Sequence, residues 1–115
     1  MFLFLSNTEN KLKFFKDKLF EFMKNKNYKT TEDMDIKDLI CLETNGMETA
    51  NFINSNFDTF EQLAILSYIL DMVYNLHSFE AIDVLAEEIM LNMKVSEKIL
   101  KSRNEILRMR SENCN

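Results

Sequence analysis

Apolar residues in this chain return every three or four positions and almost nowhere alternate. That is the helix period, so the pattern predicts helices along the whole length and no sheet. The first stripe is Leu12, Phe15, Leu19 and Phe22 with Met23 beside them, widened by Phe14 and Phe20. Lys11, Lys13, Lys16, Lys18 and Lys24 fall largely on other faces. Ser6 and Glu9 have the spacing at which a hydroxyl and a carboxylate satisfy each other's free backbone N–H groups at a helix start. A helix is therefore expected from about residue 7 to 25, ending in Asn25-Lys26-Asn27.

A second helix is expected to open at Thr30 or Thr31, with Glu32, Asp33 and Asp35 in its first turn, where carboxylates meet the positive end of the macrodipole. Its apolar set is Ile36, Leu39 and Ile40, with Met34 and Leu42 at its margins. Asn45-Gly46 reads as its left-handed stop. A short third helix, about 47–55, uses Met47, Ala50 and Ile53. Asp58 and Glu61 repeat the reciprocal capping pattern and open a fourth helix that runs to Tyr74 or Asn75. Phe60, Leu63, Ala64, Ile65, Leu66, Ile69, Leu70, Met72 and Val73 surround most of that helix, which places it at the centre of a bundle. Ser78 is the expected N-cap of a fifth helix striped by Phe79, Ile82, Leu85, Ala86, Ile89, Met90 and Met93. A last helix begins near Ser96 or continues from the fifth, on a thinner stripe of Ile99, Leu100, Arg103, Ile106 and Leu107. The expected core is Leu63, Leu66, Ile69, Leu70, Val73, Ile82, Leu85 and Ile89.

The fold class expected is all-α: one compact domain over 1–115, five or six helices, with an apolar segment at 1–5 and a frayed tail at 111–115. Composition agrees. One Gly and no Pro among 115 residues leave too few tight turns for a sandwich or barrel, and no glycine-rich phosphate loop. Ten Phe and eight Met supply the bulk of a core. The 13 Asn and 11 Lys against 3 Arg and 4 Ala favour AT-rich codons, which suggests a virus or phage, a low-GC bacterium or an intracellular parasite.

Cys41, in an apolar run, is expected to be a small buried hydrophobe, and Cys114 lies in the tail, so no disulfide framework is expected. Met1 to Leu5 is shorter than a signal peptide's apolar region, and Phe60 to Leu76 carries Glu61, Gln62 and Asp71 within about 17 residues, short of the ~20 of a span. A cytoplasmic, reducing location without leader or span is the expectation.

Charge is segregated. Residues 1–30 carry a net +4, residues 31–93 a net −12 and residues 94–115 a net +3. Two readings stand: the basic ends fold back on the acidic middle, or the middle offers a surface to a basic partner. Glu80, Asp83, Glu87 and Glu88 concentrate this acidity on the fifth helix without a helical counter-ion until Lys94. Those four residues, with Phe2 and Phe4 from the apolar start, are the candidate partner-binding set. Phe2 to Leu5 either caps the bundle, buried and extended, or projects into a partner.

Catalytic and metal chemistry find few residues here. His77 is the one histidine, in the turn before the fifth helix, and no second His or Cys stands at ligand spacing beside it. The paired acids of the fifth helix lack the E-x-x-H partners of a carboxylate metal site. No catalytic residue, cofactor or metal is expected. The seven lysines from Lys11 to Lys29, and Lys101, Arg103, Arg108 and Arg110, leave open a contact with phosphate or lipid headgroups.

The expectation is a small acidic non-enzymatic binding module, an adaptor, inhibitor or accessory subunit, whose helix faces meet a larger protein with a basic patch. A second copy of the chain is a further possible partner, and nucleic acid is not expected as a direct one. The alternative is a transcription- or nucleic-acid-associated regulator working through its basic terminal helices. His77-Ser-Phe-Glu-Ala-Ile82, then Glu87-Glu88 and a basic helix through Lys98 and Lys101, resembles the core of the late-transcription co-activators of tailed phages over about 30 residues. That resemblance implies an RNA-polymerase-binding regulator. The chain ends Glu-Asn-Cys-Asn, without that family's hydrophobic-acidic tail, and is not identified as a member.

Overall fold

The computed structural model describes residues 2–75 and 80–113, with side chains described for 8–73, 84–99, Lys101, Glu105, Arg108 and Met109. Six helices and no strand occur among the described residues: α1 Phe2–Asn25, α2 Ile36–Ile40, α3 Gly46–Asn56, α4 Thr59–Asn75, α5 Glu80–Leu91 and α6 Lys94–Asn113. The all-α bundle is as the spacing predicts.

Helix α1 buries Phe15, Leu19 and Met23, one residue per turn on one face. It starts earlier than expected. Ser6 and Glu9 lie inside it, and Phe2 to Leu5 are helical backbone, not an extended cap. A run of apolar residues with no Gly or Pro continues a helix once one has nucleated beside it. The helix ends where expected: Asn27 adopts φ 66°, and the Tyr28 N–H reaches back to the Met23 carbonyl at 3.1 Å. Asparagine here takes the left-handed position usually given to glycine.

Helix α2 is shorter than expected. Thr31 to Met34 form a turn, and Asp35 is the N-cap: its Oδ1 accepts from the Asp38 N–H (2.9 Å) while Asp38 Oδ2 accepts from the Asp35 N–H (3.2 Å). Its five residues are held by burying Ile36, Leu39 and Ile40, not by length. Cys41, at its C-cap, is exposed rather than buried.

Asn45-Gly46 starts a helix rather than ending one. The Asn45 side chain accepts from the Met47 N–H at 3.0 Å, and Gly46 has no positive φ. Glycine serves close approach: a Cβ there would stand 3.0 Å from Glu88 Cβ, where α5 crosses α3. The capping pair Asp58 and Glu61 forms as expected, at 2.8 and 3.0 Å. Helices α5 and α6 are separate. Asn54 of α3 donates to the Asn92 carbonyl (2.9 Å) and accepts from the Lys94 N–H (2.8 Å), so one amide fixes the break between them.

Helix α4 is not the centre of the bundle. Ile65, Ile69 and Met72 face the core, but Phe60 is 71% exposed, Leu63 40% and Leu70 37%. Leu66, Val73 and Leu85 are half-buried, and Ile89 is buried. The Ser78 cap, His77 and Cys114 lie outside the described residues, as does the side chain of Ile82. No helix among the described residues is long and apolar enough to cross a membrane.

Candidate functional site

Between α1 and α3 lies an open groove of about 940 Å³. One wall is Phe14, Asp17, Lys18, Glu21, Phe22 and Asn25; the other is Glu48, Asn51, Phe52, Ser55 and Asn56. Each wall follows i, i+3, i+4, i+7 spacing, so each is one continuous helix face. The helices run antiparallel, since Lys26 meets Glu48, Phe22 meets Phe52, and Phe14 meets Phe57.

The floor is aromatic. Phe22 and Phe52 stack with centroids 4.4 Å apart and planes 21° apart. Phe57, the C-cap residue of α3, sits beneath and meets Phe14, Phe15 and Phe52 edge to face at 5.8, 5.4 and 5.7 Å. Such T-shaped pairs set positive ring edges against negative faces. Lys18 stands over the Phe14 ring at 4.8 Å, with its ammonium held at the rim. The other rim charges are Asp17, Glu21 and Glu48, so the rim is polar with an acidic excess.

One end is closed by a charged network. Glu43 is buried and accepts from Lys26 Nζ (2.7 Å), the Tyr28 hydroxyl (3.2 Å) and the Asn45 N–H (3.0 Å). Lys26 also pairs with Glu48. The Lys26 hydrogen bond holds the Glu43 carboxyl below its usual range, against burial that would raise it, and the same two glutamates hold the ammonium above its own. Burial, then the bond to Glu43, raises the Tyr28 phenol.

This network carries a pH dependence. The unfolded chain binds the Glu43 proton more tightly than the folded one. Its contribution is therefore whole above the ordinary carboxyl value of 4.5 and is lost as pH falls through the lower folded value. Thermal melts at stepped acid pH should show this loss, and Glu43→Gln should flatten it. Glu43→Ala should cost about 1–3 kcal/mol near neutrality, because the Asn45 N–H and Tyr28 hydroxyl lose a buried acceptor.

The acidic set of the fifth helix is only partly visible. Glu87 is exposed. Glu88 is half-buried, and its Oε1 accepts from the Met47 N–H at 3.1 Å, so it serves the first turn of α3. The side chains of Glu80, Asp83, Phe2 and Phe4 lie outside the described residues. Basic terminus and acidic middle do meet, at Lys26 with Glu43 and Glu48, two glutamates the sequence reading did not single out. Phe52 and Phe57 also fall outside the expected stripes. Phe52 precedes Ile53 on α3 and lies off the expected stripe, and Phe57 lies in a link between capping residues, where helical spacing carries no signal. Among the described residues no three His, Cys, Asp or Glu side chains stand where they could hold a metal ion.

No protein-family model, curated protein or solved structure matches this chain.

Proposed function

We propose that the chain is a small acidic non-enzymatic binding module, and that the α1/α3 groove receives an amphipathic helical segment of a larger protein. The observation that carries this reading is the groove: two aligned helix faces over a floor of stacked Phe22 and Phe52. An amphipathic helix buries apolar anchors at i, i+3, i+4 and i+7 in such a trough. Aromatic residues at the centre of a polar rim are the usual composition of a binding hot spot. The rim selects the partner's sign. Asp17 and Glu21 favour Lys and Arg beside the anchors.

The test is capture from the native source by the full chain and by two groove variants. Ser55 and Glu21 are exposed groove residues on helices, so Ser55→Trp and Glu21→Lys should leave the helical circular dichroism spectrum unchanged. Ser55→Trp fills the trough and should abolish capture of the partner. Glu21→Lys should slow its association and reduce the salt dependence of that rate. Equal capture by all three proteins would remove the groove from the reading. Tight, salt-dependent retention of the unmodified chain on duplex DNA would favour the nucleic-acid alternative instead.

A further inference from the structure

Helix α4 has two apolar faces. Gln62, Ile65, Ile69 and Met72 point into the bundle and are buried. On the opposite side Phe60, Leu63, Ser67 and Leu70 are all exposed. Their spacing is three, four and three, the alternation that keeps a straight seam on a helix and lets it pack knobs-into-holes against an equal seam. The seam is flanked by a hollow of about 230 Å³ between α4 and α1, lined by Thr8, Lys11, Phe60, Leu63, Ala64 and Ser67.

We infer that this seam is a self-association surface, and that its occupant is α4 of a second copy, antiparallel across a two-fold axis near Ser67. The inference is independent of the α1/α3 groove, which lies elsewhere on α1. Closed two-fold pairs need a self-complementary patch. Here the position four residues after Ser67 carries an acid, Asp71, which is exposed. The end before Ser67 carries a base, Lys11, whose ammonium stands 5.7 Å from the Phe60 ring centroid. Reversing the second helix about Ser67 brings each Lys11 toward the other copy's Asp71. It also sets each Leu70, three residues past the axis, opposite the other copy's Ala64, at the hollow. The small side chain of Ala64 leaves room in the hollow for that leucine. A parallel pairing would leave each Lys11 and its own copy at the same height on opposite flanks, and would bring no Lys11 toward an Asp71. The groove rim, with its acidic excess, has no such self-complementarity.

Sedimentation equilibrium of the full chain over about a hundredfold concentration range tests this by mass action. A monomer–dimer equilibrium is expected. Leu63→Glu, which faces the other copy's Asp71 in this register, should shift it to monomer while the helical spectrum is kept, because Leu63 is 40% exposed in the single chain. Ser67→Leu puts an apolar knob at the polar centre and should tighten the dimer by about tenfold or more, a readout that survives if Leu63→Glu folds poorly. Lys11→Glu and Asp71→Lys should each weaken association, and together restore it. A chain that stays monomeric throughout, or a dimer indifferent to Leu63→Glu and Ser67→Leu, would overturn the inference. A double charge reversal no better than the single ones would overturn the antiparallel register.

Discussion

Replacing Phe57 with alanine should cost about 3–5 kcal/mol, the usual range for truncating a large buried aromatic. Phe57 is 6% exposed and is the point at which α1, α3 and α4 converge. Its ring meets three other phenylalanines edge to face, and its carbonyl accepts from Gln62 Nε2 at 3.0 Å. The walls of the resulting cavity cannot close easily, because Phe14 and Phe15 are fixed on one helix and Phe52 on another. Urea denaturation should show a midpoint far below that of the unmodified chain. Phe57→Leu, which keeps most of the volume, should fall between the two. A Phe57→Ala midpoint near the unmodified value would show that the aromatic cluster is not what holds the helices together.

Where an end signal fits one role only, the place of a helix end could be read from the residues alone. The start of α4, capped by Asp58 and Glu61 as their spacing implies, and the end of α1 at Asn27 are such cases. The errors arise where one residue type suits two roles. Asn45-Gly46 fits a helix end as well as a start, and the choice was made by α5, whose Glu88 presses against Gly46 and bonds to Met47. Thr31 to Asp33 fit a first helical turn, but the reciprocal pair Asp35 and Asp38 fixes the start later. Local pattern carries no information about a partner 40 residues away.

The groove was less legible than the fold for the same reason. Its α1 wall is visible as Phe14 and Phe22 among lysines, but a groove exists only when a second face stands at the right distance. That distance is set by the Phe22–Phe52 stack and the Lys26–Glu43–Glu48 network, contacts between residues far apart in the chain. The net charge of the middle segment was readable. Its division into internal work, by Glu43 and Glu88, and exposed field, by Glu87, was not.

Neighbouring residues of α4 should respond very differently to the same change. Ile69→Ala should cost about 2–5 kcal/mol, while Leu70→Ala should cost less than about 1 kcal/mol when the chain is monomeric. Ile69 is fully buried and Leu70 is 37% exposed. The apolar composition of α4 alone would rank the two alike, since both are large aliphatic residues in a helix that is apolar on most sides. The hundred-degree turn between successive helical residues separates them: one enters the core beside Ile65 and Met72, the other joins the outward seam. Denaturation at low protein concentration isolates the folding term. Repeating it at high concentration adds the association term, and there Leu70→Ala should lose more than it did when dilute, whereas the Ile69→Ala cost in folding persists in both. Equal losses for the two variants in dilute protein would mean that α4 is turned about its axis from the orientation described, with Leu70 in the core and the outward seam gone.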